Sequence, residues 1–277
     1  NQQIPSLEVF GDYLFAGVWQ RGIDEQPHKA QIWRTYSGVA WEMVDQRLVN
    51  GVSTLATFGN YLYAGSWDGK VWRSANGTDW GAEIPITGYD PDNGVARLFV
   101  FDDHLYLGTW RDATGTLMWR TSNGIDWQPF AAGIGDNPNN TGAISSEVFN
   151  GKLYFGVSNN TTGAELWRTD GVTWSLVKKD GFGNLDNKAI SSLVVYKGYL
   201  YAGMFNETSV QIYRSPDGIN WSRVVNGNIG PMPPEGTNAL EVYEGSLYLV
   251  SGHETDGMQV WRTQNGLSWT QVAFKGF

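Results

Sequence analysis

The chain has 277 residues with a net charge of −9, a pI near 4.8, no cysteine, and 35 glycines and 14 tryptophans beside only 17% charged residues. The acidic balance repels nucleic acid and anionic membrane surfaces at long range. Lack of cysteine excludes thiol and thiolate–metal chemistry, and no run approaches the roughly 18 apolar residues that span a bilayer. Taken in order, the sequence then writes one phrase six times. An alternating run ends on an aromatic, a two-residue turn follows, and a second run of the YLYAG type leads to a polar loop. A third run ends in an aromatic and an arginine, and after a glycine-containing turn comes a tryptophan that opens a fourth run.

The first runs are residues 7–10, 55–58, 98–101, 146–149, 193–196 and 240–243. The turns behind them are Gly11-Asp12, Gly59-Asn60, Asp102-Asp103, Asn150-Gly151, Lys197-Gly198 and Glu244-Gly245, which is hairpin chemistry. Third runs end at Trp33, Trp72, Trp119, Trp167, Tyr213 and Trp261, each followed by arginine. Fourth runs start at Trp41, Trp80, Trp127, Trp174, Trp221 and Trp269. No segment carries a helical period, so no helix is expected. The second runs begin at Leu14, Leu62, Leu105, Leu153, Leu200 and Leu247, with steps of 48, 43, 48, 47 and 47 residues.

A period of about 40 to 50 residues with four short strands is the signature of a β-propeller blade. The expectation is an all-β, six-bladed β-propeller with four antiparallel strands per blade. It is one domain over 1–277, with blades near 1–45, 46–88, 89–135, 136–181, 182–228 and 229–277. Each blade is contiguous in sequence, so closure would rest on packing between first and last blades, with Phe277 beside Asn1.

The turn before the fourth run carries a family likeness. Ser74-Ala75-Asn76-Gly77-Thr78-Asp79-Trp80 and Ser215-Pro216-Asp217-Gly218-Ile219-Asn220-Trp221 resemble the Asp-box of sialidase-type propellers, one residue shorter between Asp and Gly. Thr169-Asp170-Gly171-Val172-Thr173-Trp174 is a further shortened copy, and Glu165-Leu166-Trp167 before it resembles the repeats of secreted bacterial propellers. The likeness runs through all six repeats. It implies the fold, with the Asp or Ser side chain bonding local amides while the tryptophan packs between sheets. A sialidase activity would also require an arginine triad, a Tyr–Glu pair and an acid/base Asp. Here Arg97 alone breaks the pattern Ser6, Thr54, Ser145, Ser192, Ala239, and no arginine precedes Ile4-Pro5.

Removing what every repeat shares leaves the functional candidates. Three tryptophans have no structural counterpart: Trp19, Trp67 and Trp110 stand two residues beyond the glycine that ends the second run, where Phe205 stands in the fifth repeat. They are expected in the loop between second and third strands. Beside them lie the Asp/Asn loops containing Asp68, Asp92, Asp136 and Asp186. Aromatic plates with planar carboxylates and amides are what sugar binding needs, since C–H faces stack on rings while hydroxyls take hydrogen bonds. Packing of the rings on the next blade, with the amides as turn formers, is the structural alternative. Glu8, Glu147 and Glu241, two residues before the end of the first strand, are expected to line a central channel with Arg97. Paired hydrolytic carboxyls there would need a separation of about 5 to 9.5 Å.

No cofactor is expected. Calcium suits oxygen-rich loops, although none here follows a defined calcium pattern, and His28, His104 and His253 share no repeat position and no zinc spacing. The sequence thus points to a non-catalytic, carbohydrate-binding, lectin-like propeller, extracellular or at a cell surface, whose partner is a glycan or a surface protein. The alternatives are a glycoside hydrolase or lyase using Arg97 with Glu8, Glu147 or Glu241, and a structural repeat domain of a surface layer, filament or adhesin.

Overall fold

A computed structural model describes residues 2–20, 29–45, 51–90, 92–110, 115–131, 134, 137–227, 229, 235–252 and 258–273. The chain divides into two compact units, 1–142 and 143–277, and the described structure is all-β in antiparallel meanders. The first unit holds β1 (Gln2–Phe10), β2 (Tyr13–Gln20), β3 (Lys29–Thr35) and β4 (Glu42–Asp45), then β5 (Val52–Phe58), β6 (Tyr61–Ser66) and β7 (Val71–Ser74). Its third meander is β8 (Gly94–Phe101), β9 (His104–Trp110), β10 (Met118–Thr121) and β11 (Gln128–Ala131). The second unit holds β12 (Gly142–Phe149), β13 (Lys152–Ser158), β14 (Glu165–Thr169) and β15 (Trp174–Lys178), then β16 (Ala189–Tyr196), β17 (Tyr199–Phe205), β18 (Val210–Ser215) and β19 (Ser222–Gly227). It ends with β20 (Glu235–Tyr243), β21 (Ser246–Gly252), β22 (Gln259–Thr263) and β23 (Thr270–Ala273).

The hairpin expectation meets two backbone solutions. Gly11 and Gly59 have positive φ at the first turn position only, the II′ pattern, which needs glycine there. In the other four hairpins both turn residues are left-handed, the I′ pattern, and three of them place glycine second. Asp102 (φ 47°) and Asp103 (φ 55°) adopt it without any glycine.

Three local expectations are corrected. The first strands begin several residues earlier than the apolar runs, because a recurrent bulge, as between Val52 and Thr54 or Ile190 and Ser192, lets pairing continue past the break in alternation. The second meander lacks its fourth strand. Trp80 makes one bridge to Ser74, and beyond it only single bonds reach β7, from the Gly81 N–H to the Arg73 carbonyl at 3.3 Å and from the Ile84 N–H to that of Val71 at 2.8 Å, before Pro85, which has no N–H for a ladder. A helix-like turn at Asp180–Gly183 has left-handed φ at Gly181 (58°) and Phe182 (62°). It turns Phe182 onto Tyr213 and Trp221, with ring centroids 4.9 and 5.4 Å away.

Successive meanders stack through repeated contacts that explain the motif. The glycine of YLYAG is required by close approach. A Cβ on Gly17, Gly65 or Gly203 would lie 2.4–2.6 Å from Val52, Val95 or Thr237 of the following meander. Hydroxyls stitch the same interface. The N–H of Leu55 donates to Ser6 Oγ at 2.9 Å, that of Leu98 to Thr54 Oγ1 at 3.1 Å and that of Leu240 to Ser192 Oγ at 3.0 Å. Two indoles find acceptors two residues earlier, half-buried Trp33 on Gln31 (3.0 Å) and buried Trp167 on Glu165 (2.8 Å).

The turns before the fourth strands share one network. Asp217 Oδ1 accepts the N–H groups of Ile219 (2.8 Å) and Asn220 (2.7 Å), while Ser215 Oγ accepts that of Gly218 at 2.8 Å. Asn76, Asn123 and Asn265 do the same work with their amide oxygens. The turn glycine then receives a ring from the preceding meander. A Cβ on Gly77, Gly124, Gly218 or Gly266 would lie within 2.2 Å of Phe15, Tyr63, Tyr154 or Tyr201 respectively. Gly38, in the first meander, has nothing within 4 Å of that position.

Candidate functional site

The loop-side ends of the second strands gather the candidate aromatics. Trp67 lies in the expected loop, directly after β6. Trp19, Trp110 and Phe205 do not. They are the closing residues of their strands, with Trp19 paired to Gln3 and Ala30, Trp110 to Gly94, and Phe205 to Ala189. Aromatic residues suit a pleated, half-buried surface, and the ladder simply continues through them.

Within the first unit these rings alternate with glycines of the following strand. A Cβ on Gly51 would lie 2.2 Å from Trp19 Cδ1, so the indole rests on that peptide. On the other side, the Trp67 N–H donates to the Gly51 carbonyl at 3.3 Å. Gly94 presses on the Trp67 backbone, and Gly142 lies under Trp110, where a Cβ would sit 2.5 Å from Cε3. Trp67 and Trp110 meet edge to face, with centroids 6.2 Å apart and planes at 86°. Trp67 remains 37% exposed, while Trp19 and Trp110 are half-buried. The row is therefore both packed against the next meander and open on one side. In the second unit Phe205 is 40% exposed, and the buried Ser158 holds its position in the preceding meander.

The Asp/Asn loops prove to be built turns with a fixed plan. In 90–93, 137–140 and 184–187 the fourth residue's N–H donates to the first residue's carbonyl, at 3.0 Å in each. The first side chain accepts the third residue's N–H, as Asp90 does from Asp92 and Asn184 from Asp186, both at 3.1 Å. The fourth residue, Asn93, Asn140 or Asn187, turns inward and is at most 4% exposed. Asn140 Nδ2 donates to the Ile134 carbonyl (3.0 Å), and Asn187 Nδ2 donates to that of Gly181 (2.7 Å) and its Oδ1 accepts from Asn206 Nδ2 (2.9 Å). The buried side chains of Asn140 and Asn187 thus hold their loops, a role the sequence reading missed, while Asn93 Nδ2 has no partner. The signal was present, since the three asparagines stand at a constant spacing of 47 residues.

Of the candidate carboxylates, Asp92 and Asp186 are exposed at the loop tips. Asp136 lies outside the described residues, as do the Phe277–Asn1 junction, His28 and His253. Asp68 accepts a hydrogen bond from Ser66 Oγ and pairs with Lys70 at 3.5 Å, while Lys70 also reaches Glu83 at 3.9 Å. Tyr89 closes the loop before β8. Its hydroxyl donates to the Asn93 carbonyl, and burial, then the charges of Asp90 and Asp68, push its pKa far above the ordinary tyrosine value. The loops after β6 and before β8 thus share one acidic, aromatic surface.

The strand carboxylates are engaged with backbone. Glu8 Oε1 accepts the Thr57 N–H of the next meander at 3.0 Å, and Glu147 and Glu241 each accept the N–H of the following valine, at 2.9 and 3.1 Å. Glu8 belongs to the first unit and the other two to the second. Arg97 sits half-buried at the bulge of β8, opposite Gly108. Among the described residues no group of three or more His, Asp or Glu is placed to hold a metal ion, and no helix is long and apolar enough to cross a membrane.

No family model matches the chain, and neither does any curated protein sequence. Solved structures resemble it in fold. The computationally designed Ika8 protein is similar at a TM-score of 0.56 and 14% identity, over 99% of this chain and 87% of that one. PorZ, an essential bacterial surface component of the type-IX secretion system of Porphyromonas gingivalis, is similar at a TM-score of 0.61 and 13% identity. That match covers 98% of this chain and 41% of PorZ, so the chain spans less than half of PorZ. At such identities the likeness concerns fold alone.

Proposed function

We propose that the six meanders are the blades of one β-propeller domain over 1–277, and that the chain is a non-catalytic, carbohydrate-binding recognition module working outside the cell or at its surface. The Ser/Thr–Asp/Asn–Gly turn network, repeated in five described meanders, supports an Asp-box-type propeller.

The observation that carries the binding reading is the exposed Trp67 ring braced by Trp110, with Asp68 and Asp92 on the adjoining loops. A braced indole offers a flat apolar plate with its rotamer already paid for, and neighbouring carboxylates supply acceptors for hydroxyls. The likeness to PorZ is compatible with a surface location. A glycan array probed with the protein and with Trp67→Ala tests the reading. Saccharide binding that disappears in the variant, at an unchanged melting temperature, is the expected outcome. Binding to no sugar, or binding indifferent to Trp67, refutes it.

A further inference from the structure

The surface beside Trp67 carries a charge pattern that narrows the class of ligand. Asp68 follows Trp67 directly, and Gly94 presses on the Trp67 backbone from the loop that bears Asp90 and Asp92. The loops meet where a Cβ on Gly94 would lie 2.6 Å from the Trp67 carbonyl oxygen, and the Asp92 N–H donates to Asp90 Oδ1 at 3.1 Å. Glu83 enters the same set through Lys70, which lies 3.5 Å from Asp68 and 3.9 Å from Glu83. Among the described residues of these two loops, one ammonium thus stands against the carboxylates of Asp68, Glu83, Asp90 and Asp92. Asp90 and Asp92 are exposed, and neither carboxylate is in an ion pair.

We infer that the Trp67–Trp110 ledge selects amine-bearing, cationic saccharides and rejects anionic ones. This rests on the recognition reading above and adds the substrate class. The physical reason is twofold. Several like charges on one surface impose a field that repels carboxylated or sulfated sugars and attracts ammonium groups. An exposed indole face also attracts a cation through its quadrupole, which a carboxylate cannot use. A sugar ring stacked on Trp67 would thus carry its ammonium toward Asp90 and Asp92.

Isothermal titration with three oligosaccharides of equal length tests this, using glucosamine, N-acetylglucosamine and galacturonate oligomers at low ionic strength. The expected order is glucosamine tightest and galacturonate weakest, with all binding lost in Trp67→Ala. Asp92→Asn should weaken the glucosamine oligomer about two- to fivefold, as removal of one exposed charge partner does. Added salt should erase the preference over the same range. Among the described residues the Asp92 carboxylate makes no hydrogen bond that folding would lose, and a combined Asp90→Asn, Asp92→Asn protein enlarges the effect. Galacturonate binding as tight as glucosamine binding overturns the inference. So does Trp67-dependent binding of the N-acetylated oligomer that ignores both aspartates, although the recognition reading then stands. Binding to none of the three overturns both.

Discussion

Replacing Gly218 by alanine isolates the contact on which stacking of the meanders depends. The residue has φ +76°, and a Cβ there would lie 2.0 Å from Tyr154 Oη of the preceding meander. Two costs follow. A left-handed backbone costs a non-glycine residue roughly 1–2 kcal/mol, and forcing an extra carbon into a filled contact costs typically about 1–3 kcal/mol. Gly11→Ala is the internal reference, because Gly11 has φ +59° with nothing within 4 Å and so incurs only the first. At about 2–4 °C per kcal/mol for a chain of this size, the second term should lower the Gly218→Ala melting temperature roughly 2–12 °C below that of Gly11→Ala. Near-UV circular dichroism during heating measures it. Adding Tyr154→Phe removes the clashing oxygen, so the double variant should recover part of the loss and break additivity. Equal losses at Gly218 and Gly11, or strict additivity with Tyr154→Phe, would refute the contact argument.

Asp103→Gly should stabilise by roughly 0.5–1 kcal/mol, since it relieves a left-handed aspartate in an I′ hairpin, and a urea midpoint reads it. Backbone N–H donors from Asn220 and Ile219 hold the Asp217 carboxyl well below its ordinary value, so the folded state binds fewer protons than the unfolded chain. That stability is present above about pH 4 and lost as pH falls below it. Asp217→Asn keeps the amide oxygen that Asn76 uses, so melting temperatures from pH 6 to 2.5 should fall less steeply for the variant. Asn187→Leu leaves the buried Asn206 amide without its acceptor and takes one of two donors from the Gly181 carbonyl, which keeps the Asn184 N–H, a loss of about 1–3 kcal/mol. Asn93→Leu should cost less, because Asn93 Nδ2 has no partner to forfeit.

What the sequence disclosed follows from which contacts repeat. Within each unit the meanders meet through the same kinds of contact, so the strand glycine, the turn glycine, the hydroxyls and the indoles recur at one period. Six copies of Trp-Arg or Tyr-Arg and of the hairpin turns were enough to place strands within a few residues. The exceptions are non-periodic causes. Pro85 stops the fourth run of the second meander short of a strand, and Phe182 is steered into a left-handed turn by Tyr213 and Trp221, partners more than 30 residues away. For the site, subtraction of the repeat isolated Trp19, Trp67 and Trp110, yet it could not separate packing from exposure. That distinction depends on the neighbour. Trp19 rests on Gly51 and Trp110 on Gly142, whereas Gly94 meets the Trp67 backbone, and the Trp67 ring, edge to face on Trp110, stays 37% exposed. The three glycines look alike in sequence, and only the direction of approach makes Trp67 the exposed plate. The asparagines mislead for the converse reason. Asn140 and Asn187 read as ligand amides because they are polar and in loops, but a buried amide is retained for the bonds it makes inside. On the proposed reading, binding then falls to the exposed residues of these loops, with Asp90 and Asp92 on the turn that Asn93 closes beside Trp67.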